Sequence, residues 1–137
     1  MILWQPDPGK APEVMGFIST DSRIGAYFGP HIFTGTPFEQ APVLEASFDF
    51  DLSDGRASVA VEVAGHRFEA SLRDLQSAVA INRDPAETSP FIQQGVERKS
   101  EAVGLKVNGK DVPLSLPPVG LSGGPAAVFA PCGIYVR

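Results

Sequence analysis

Between Leu44 and Leu72 apolar and polar residues alternate on either side of two dipeptides, Asp54-Gly55 and Ala64-Gly65, and no other stretch restricts folding as tightly. A two-residue hairpin turn demands positive φ, which glycine adopts without strain, so the segment reads as three antiparallel strands joined by two tight turns. With Asp54-Gly55 as the first loop, Leu52 falls opposite Ala57, Phe50 opposite Val59, Phe48 opposite Val61 and Ala46 opposite Val63. One face is then apolar throughout, and the other sets Asp51 against Ser58 and Ser47 against Glu62. With Ala64-Gly65 as the second loop, Val61 meets Phe68, Val59 meets Ala70 and Ala57 meets Leu72 on the same apolar face. Glu62 then faces Arg67 in a favourable cross-strand pair. A slip of one residue would put Phe48, Phe50 and Phe68 in water, and burial of each such side chain contributes about 1.5–3 kcal/mol, so the register is well specified. Ala64 is the weak point, because of the two turn residues only glycine takes positive φ easily.

A chain of 137 residues can enclose one core but not two, so a single domain over 1–137 is expected. With 43% apolar and 20% charged residues the composition is that of a folded, soluble protein. The net charge of -5 argues against nucleic acid or an anionic membrane as partner, since phosphate binding needs clustered Lys and Arg. Only Arg98-Lys99 are adjacent basic residues. The opening Met-Ile-Leu-Trp lacks the basic start and apolar run of a signal peptide, and no stretch has the length of a membrane helix. A lone cysteine, Cys132, allows no internal disulfide, so a cytoplasmic setting is expected.

Residues 1–12, with prolines at 6, 8 and 12, read as an extended arm anchored by Trp4. From Val14 to Phe38 short apolar runs alternate with turn residues, and glycines at 16, 25, 29 and 35 point to bulges or close backbone approach in strands. After Leu72 the period changes: Leu72, Leu75, Ala78 and Val79 fall at helical spacing, which predicts a short helix over about Leu72 to Ile81. Ser71 and Asp74 resemble its cap. Thr88-Ser89-Pro90 opens a second candidate helix, weakened by Gly95. Asn108-Gly109 between Val103-x-Leu105-x-Val107 and Val112-x-Leu114-x-Leu116 predicts a second hairpin. Pro113 makes Asp111 to Leu116 an edge strand. Ala126 to Val136 reads as a last strand, apolar on both faces and so central or covered, with a bulge at Pro131-Cys132-Gly133. The expected fold is mainly β: a single-domain antiparallel barrel or sandwich of about seven or eight short strands with one or two short helices.

Gly120-Leu121-Ser122-Gly123-Gly124 matches the G-x-S-x-G elbow of hydrolases, but prolines flank it and no histidine follows, so a flexible loop is the better account. Asp49-x-Asp51-x-Ser53 begins like a calcium loop, then departs from it at Asp54 and Ala60. His31, His66 and Cys132 lack zinc-ligand spacing, and no metal or cofactor is expected. Cys132 beside His31 or His66 is the sharpest nucleophile-and-base idea, against the commoner inert core cysteine. Strand parity puts His66 on the apolar face at the end of the ribbon, where it can line a pocket, take a proton or simply be hydrogen-bonded. Tyr27, Phe28, His31 and Phe33 form a candidate pocket wall, or else core plus turn.

Two functions follow as expectations. The first is a non-enzymatic binding or interaction module, taking an apolar small molecule in a barrel mouth or another protein at its edge strand, and self-associating as a homodimer. The alternative is a small β-barrel enzyme, an isomerase, cyclase or hydrolase of an apolar molecule, with His66 or His31 as base and Cys132 or Glu97 nearby.

Overall fold

A computed structural model describes residues 1–85, 92–120 and 124–136. In chain order its elements are β1 (Ile2–Trp4), β2 (Val14–Ser19), α1 (Ser22–Ile32), β3 (Val43–Glu45), β4 (Phe48–Ser53), β5 (Arg56–Val63), β6 (His66–Arg73), β7 (Val79–Arg83), β8 (Ile92–Lys99), β9 (Ala102–Val107), β10 (Lys110–Asp111) and β11 (Val128–Val136). The fold is mainly β and sandwich-like, with three sheets among the described residues and no closed barrel.

The mid-sequence ribbon forms the antiparallel sheet β10-β9-β6-β5-β4. Phe48 pairs with Val61, Phe50 with Val59 and Leu52 with Ala57, and β6 returns with Val61 opposite Phe68 and Glu62 opposite Arg67, the registers read from the sequence. Ala64 does adopt the left-handed conformation, at φ +50 before Gly65 at +77, a strain of about 1–2 kcal/mol that the flanking ladders outweigh. Asn108 and Gly109, at +52 and +76, turn β9 into β10. The expected edge strand from Asp111 to Leu116 is cut short: Val112 N–H still donates to Leu105 C=O, but β10 ends at Asp111.

The segment from Val14 to Phe38 differs from the expected run of short strands. Its first part is β2, but Asp21 caps a helix, its Oδ1 accepting from the N–H of Arg23 at 2.8 Å and of Ile24 at 3.3 Å. α1 carries the chain from β2 to β3, which lie parallel, a pairing that needs a crossover where antiparallel strands need only a turn. Gly25 and Gly29 sit where the helix touches the sheet: a Cβ on Gly25 would meet Val43 and Ser19, and one on Gly29 the Phe17 ring. The close approach was legible, but it belongs to a helix. The N-terminal arm is in part a strand, because β1 pairs antiparallel with β2.

The sheet β1-β2-β3 covers part of the apolar face of the central sheet. Val14, Val61, Phe68 and Val107 are buried between them, packed on by Ile2, Trp4, Ile18, Leu44 and Phe48. Trp4 meets Phe68 edge-on at 6.3 Å, the anchor expected of the arm.

Among the described residues no helix forms after Leu72. β6 runs on to Arg73, Asp74 at φ +54 breaks any helical course, and Val79–Arg83 pairs with β8. The spacing of Leu72, Leu75, Ala78 and Val79 fits a helix, but a distant strand offers a ladder that a short helix cannot match. Thr88-Ser89-Pro90 lies outside the described residues, and Gly95 stands in strand β8 rather than in a second helix. β11 pairs only with β8 among the described residues, so it is an edge strand and not central, and its register shifts between Phe129 and Cys132, at the expected bulge.

Candidate functional site

β4 closes one end of the central sheet, and among the described residues no strand pairs with its outer side. Strand parity puts Phe48, Phe50 and Leu52 on the apolar face, where the Phe48 and Phe50 rings lie 5.8 Å apart. β1-β2-β3 reaches Phe48 but not its neighbours, so Phe50 is 73% exposed and Leu52 59%. Both were expected inside, and their exposure corrects the reading of a wholly buried face. Next to them a groove of about 400 Å³ opens between β1 and the sheet, lined by Met1, Leu3, Trp4, Phe48, Val59 and Ala70 among others. Met1 and Leu3 add to the exposed apolar surface.

His66 lines a second groove, of about 470 Å³, with Trp4, Glu13, Asn108, Val112 and Pro113. The Arg67 N–H donates to Asn108 Oδ1 at 2.9 Å, which fixes the amide so that its Nδ2 donates to His66 Nδ1 at 3.0 Å. His66 Nε2 lies 3.3 Å from Glu13 Oε2, so the tautomer that satisfies both neighbours is Nε2–H donating to the carboxylate. Both ring nitrogens are thus engaged, and no lone pair is left for base chemistry.

The remaining candidates are spread over the molecule. Glu97, in the middle of β8, is only 8% exposed, and Arg83 Nη1 and Nη2 each reach one of its carboxylate oxygens at 2.8 Å. Gly95 stands between Gln93 and Glu97 on that face, opposite Ile81, and a Cβ on Gly124 would strike Arg83 Nη2. A carboxylate held by both prongs of a guanidinium is an ion pair, not a free acid. His31 lies on α1, with Nδ1 2.6 Å from the Tyr27 carbonyl and its ring stacked on Tyr27 at 5.1 Å. Tyr27 also meets Phe28 edge-on at 5.2 Å, while Phe33 packs on Phe17 and Phe38. These aromatics stabilise the helix and its seat, and none lines the three grooves described. Cys132 stands opposite Val96 on β11, and its side chain lies outside what is described, as do residues 121–123 of the G-x-S-x-G match. None of those grooves joins His66 to His31 or Glu97. Among the described residues no three His, Cys, Asp or Glu gather to hold a metal, and no helix is long and apolar enough to cross a membrane.

Glu13, Asn108 and Arg83 were missed because each bonds to a residue far along the chain. Phe50 and Leu52 were placed on the right face, but their exposure depends on how far a separate sheet extends. Among the described residues the fold and this edge define a multi-sheet β protein whose edge strand β4 is open and exposes apolar side chains on one face. No protein-family model matches the chain, and neither a curated protein nor a solved structure matches it.

Proposed function

We propose that the protein is a binding module that takes up an extended segment of a partner protein along β4, adding a strand to its central sheet. The observation that carries this is the exposure of Phe50 and Leu52 on an unpaired edge, where unsatisfied backbone groups and apolar side chains line up together. Asp49 and Asp51 alternate with them on the opposite face. A matching segment therefore alternates apolar residues, set against Phe48, Phe50 and Leu52, with Lys or Arg set against the two aspartates. Apolar side chains at its end reach the groove beside Leu3 and Trp4.

A second copy fits this edge less well at neutral pH. Antiparallel pairing of two β4 strands about Phe50 sets Asp49 of one copy against Asp51 of the other on each side of the axis, and like charges directly opposite are unfavourable. The reading of an enzyme with a histidine base has less support still, because both nitrogens of His66 are occupied.

The test titrates the protein with a labelled peptide alternating Val and Lys, with its Val/Glu counterpart and a scrambled Val/Lys control, read by fluorescence anisotropy and by backbone NMR shifts. The Val/Lys peptide is expected to bind with shifts centred on 48–53, and Phe50→Ser with Leu52→Ser is expected to weaken binding at least tenfold. Equal binding of the scrambled control, or shifts elsewhere, overturns the reading. Sedimentation that finds a dimer dissolved by the same two substitutions identifies a second copy as the occupant instead.

A further inference from the structure

The opposite, polar face of the central sheet holds a shallow trough of about 610 Å³. Arg56 and Arg73 both line it and are direct cross-strand partners on β5 and β6. Directly opposed residues have Cβ atoms about 5 Å apart, and like charges at that spacing repel. The other arginines among the described residues are provided for: Arg23 pairs with Asp21, Arg67, which also lines the trough, with Glu62 and Glu69, and Arg83 with Glu97, while Arg98 bonds the carbonyls of Leu75 and Gln76. Arg56 and Arg73 have no such partner among the described residues, and each faces the other.

The next row along the sheet is Asp51, Ser58, Ser71 and Gly104, in register across four strands. Ser58 and Ser71 bring two hydroxyls to the floor beside the arginines, and Gly104 keeps the floor open, since a Cβ there would come within 2.8 Å of Ser71 Oγ. Beyond them Asp49, Glu69, Lys106 and Asp111 complete the wall. Two arginines opposed across the strands and lining one trough, beside two hydroxyl donors, suit a small oxyanion, which turns their repulsion into attraction. The carboxylates of Asp51 and Glu69 repel a second anionic group and accept hydrogen bonds from hydroxyls.

We infer that Arg56 and Arg73, with Ser58 and Ser71, form a binding site for a phosphate or carboxylate carried on a hydroxylated body such as a sugar phosphate. The site is on the other face of the sheet from the apolar groove and does not rest on the partner-strand reading, although Asp49 and Asp51 border both.

The test follows melting temperature at constant ionic strength in chloride buffer, with inorganic phosphate, glucose 6-phosphate or glucose added. Phosphate is expected to raise the wild-type melting temperature, glucose 6-phosphate to do so at lower concentration, and glucose to leave it unchanged. Arg56→Gln and Arg73→Gln are each expected to weaken glucose 6-phosphate binding at least tenfold by calorimetry. In the absence of phosphate each variant is expected to melt at or above the wild-type temperature, because the repulsion is gone. No rise in the wild type, the same rise in the variants, or variants that melt lower without ligand each overturn the site. Equal potency of phosphate and glucose 6-phosphate overturns the hydroxylated body.

Discussion

Phe68 and Phe50 share one face of one sheet, and replacing each by alanine separates what the sheet's register decides from what its covering decides. Phe68 is 6% exposed and Phe50 73%. Taking about 200 Å² for a phenylalanine and about 25 cal/mol per Å² of apolar area buried, the covered part contributes about 4.5 kcal/mol at Phe68 and about 1.5 kcal/mol at Phe50. The first figure lies within the range of about 3–5 kcal/mol for phenylalanine-to-alanine changes in cores, and the edge-on contact with Trp4 comes in addition. With a urea slope of about 2 kcal/mol per M, Phe68→Ala should unfold at a midpoint about 1.5 M below that of Phe50→Ala. The assay is urea denaturation followed by Trp4 fluorescence and circular dichroism, at low and high protein concentration. Coincident midpoints for the two variants would mean that Phe50 is covered in the folded protein, and the open edge on which the proposed function rests would be lost. If coincidence appeared only at high concentration, the cover would be a second copy.

Two further outcomes test other parts of the fold. Arg83→Met leaves the buried Glu97 carboxylate unpaired and is expected to destabilise by about 3 kcal/mol, the low end for a broken buried pair because Arg83 is partly exposed, while Arg83→Met with Glu97→Leu should recover most of the loss. Strict additivity in urea midpoints would show that the pair does not couple β7 to β8. The Arg23 guanidinium, and then the N–H groups of Arg23 and Ile24, hold the Asp21 carboxyl below its ordinary range. A depressed carboxylate contributes above its unfolded pKa and loses that contribution as pH falls through the folded value, so the helical signal of α1 should weaken on acidification. Asp21→Asn, which still caps, should remove that pH dependence, and an unchanged acid profile in this variant would refute the assignment.

The ribbon from Phe48 to Arg73 was legible because its constraints are local: two turns fix the register, and period-two alternation chooses the face. The hairpin at Asn108-Gly109 and the bulge before Cys132 were legible for the same reason. Helix α1 was not, because Gly25, Gly29 and Pro30 look like strand punctuation until Val43 and Phe17 are known to press against them. The strand Val79–Arg83 was not, because its partner β8 lies beyond a further loop. Among site residues, the face of His66 could be read but not its two partners, and Glu97 could be named but not the arginine that binds it.

The sequence by itself determined which residues of the central ribbon face each other and which side of it is apolar, since alternation and turn chemistry act over a few residues and cannot be satisfied in another register. Tertiary structure alone decided how much of that side is covered. The sheet that covers it is assembled from an N-terminal strand and a parallel pair joined by a helix, and it stops short of Phe50 and Leu52. Local pattern records which way a side chain points; whether anything stands opposite it depends on segments elsewhere in the chain, and there the open edge of this protein was settled.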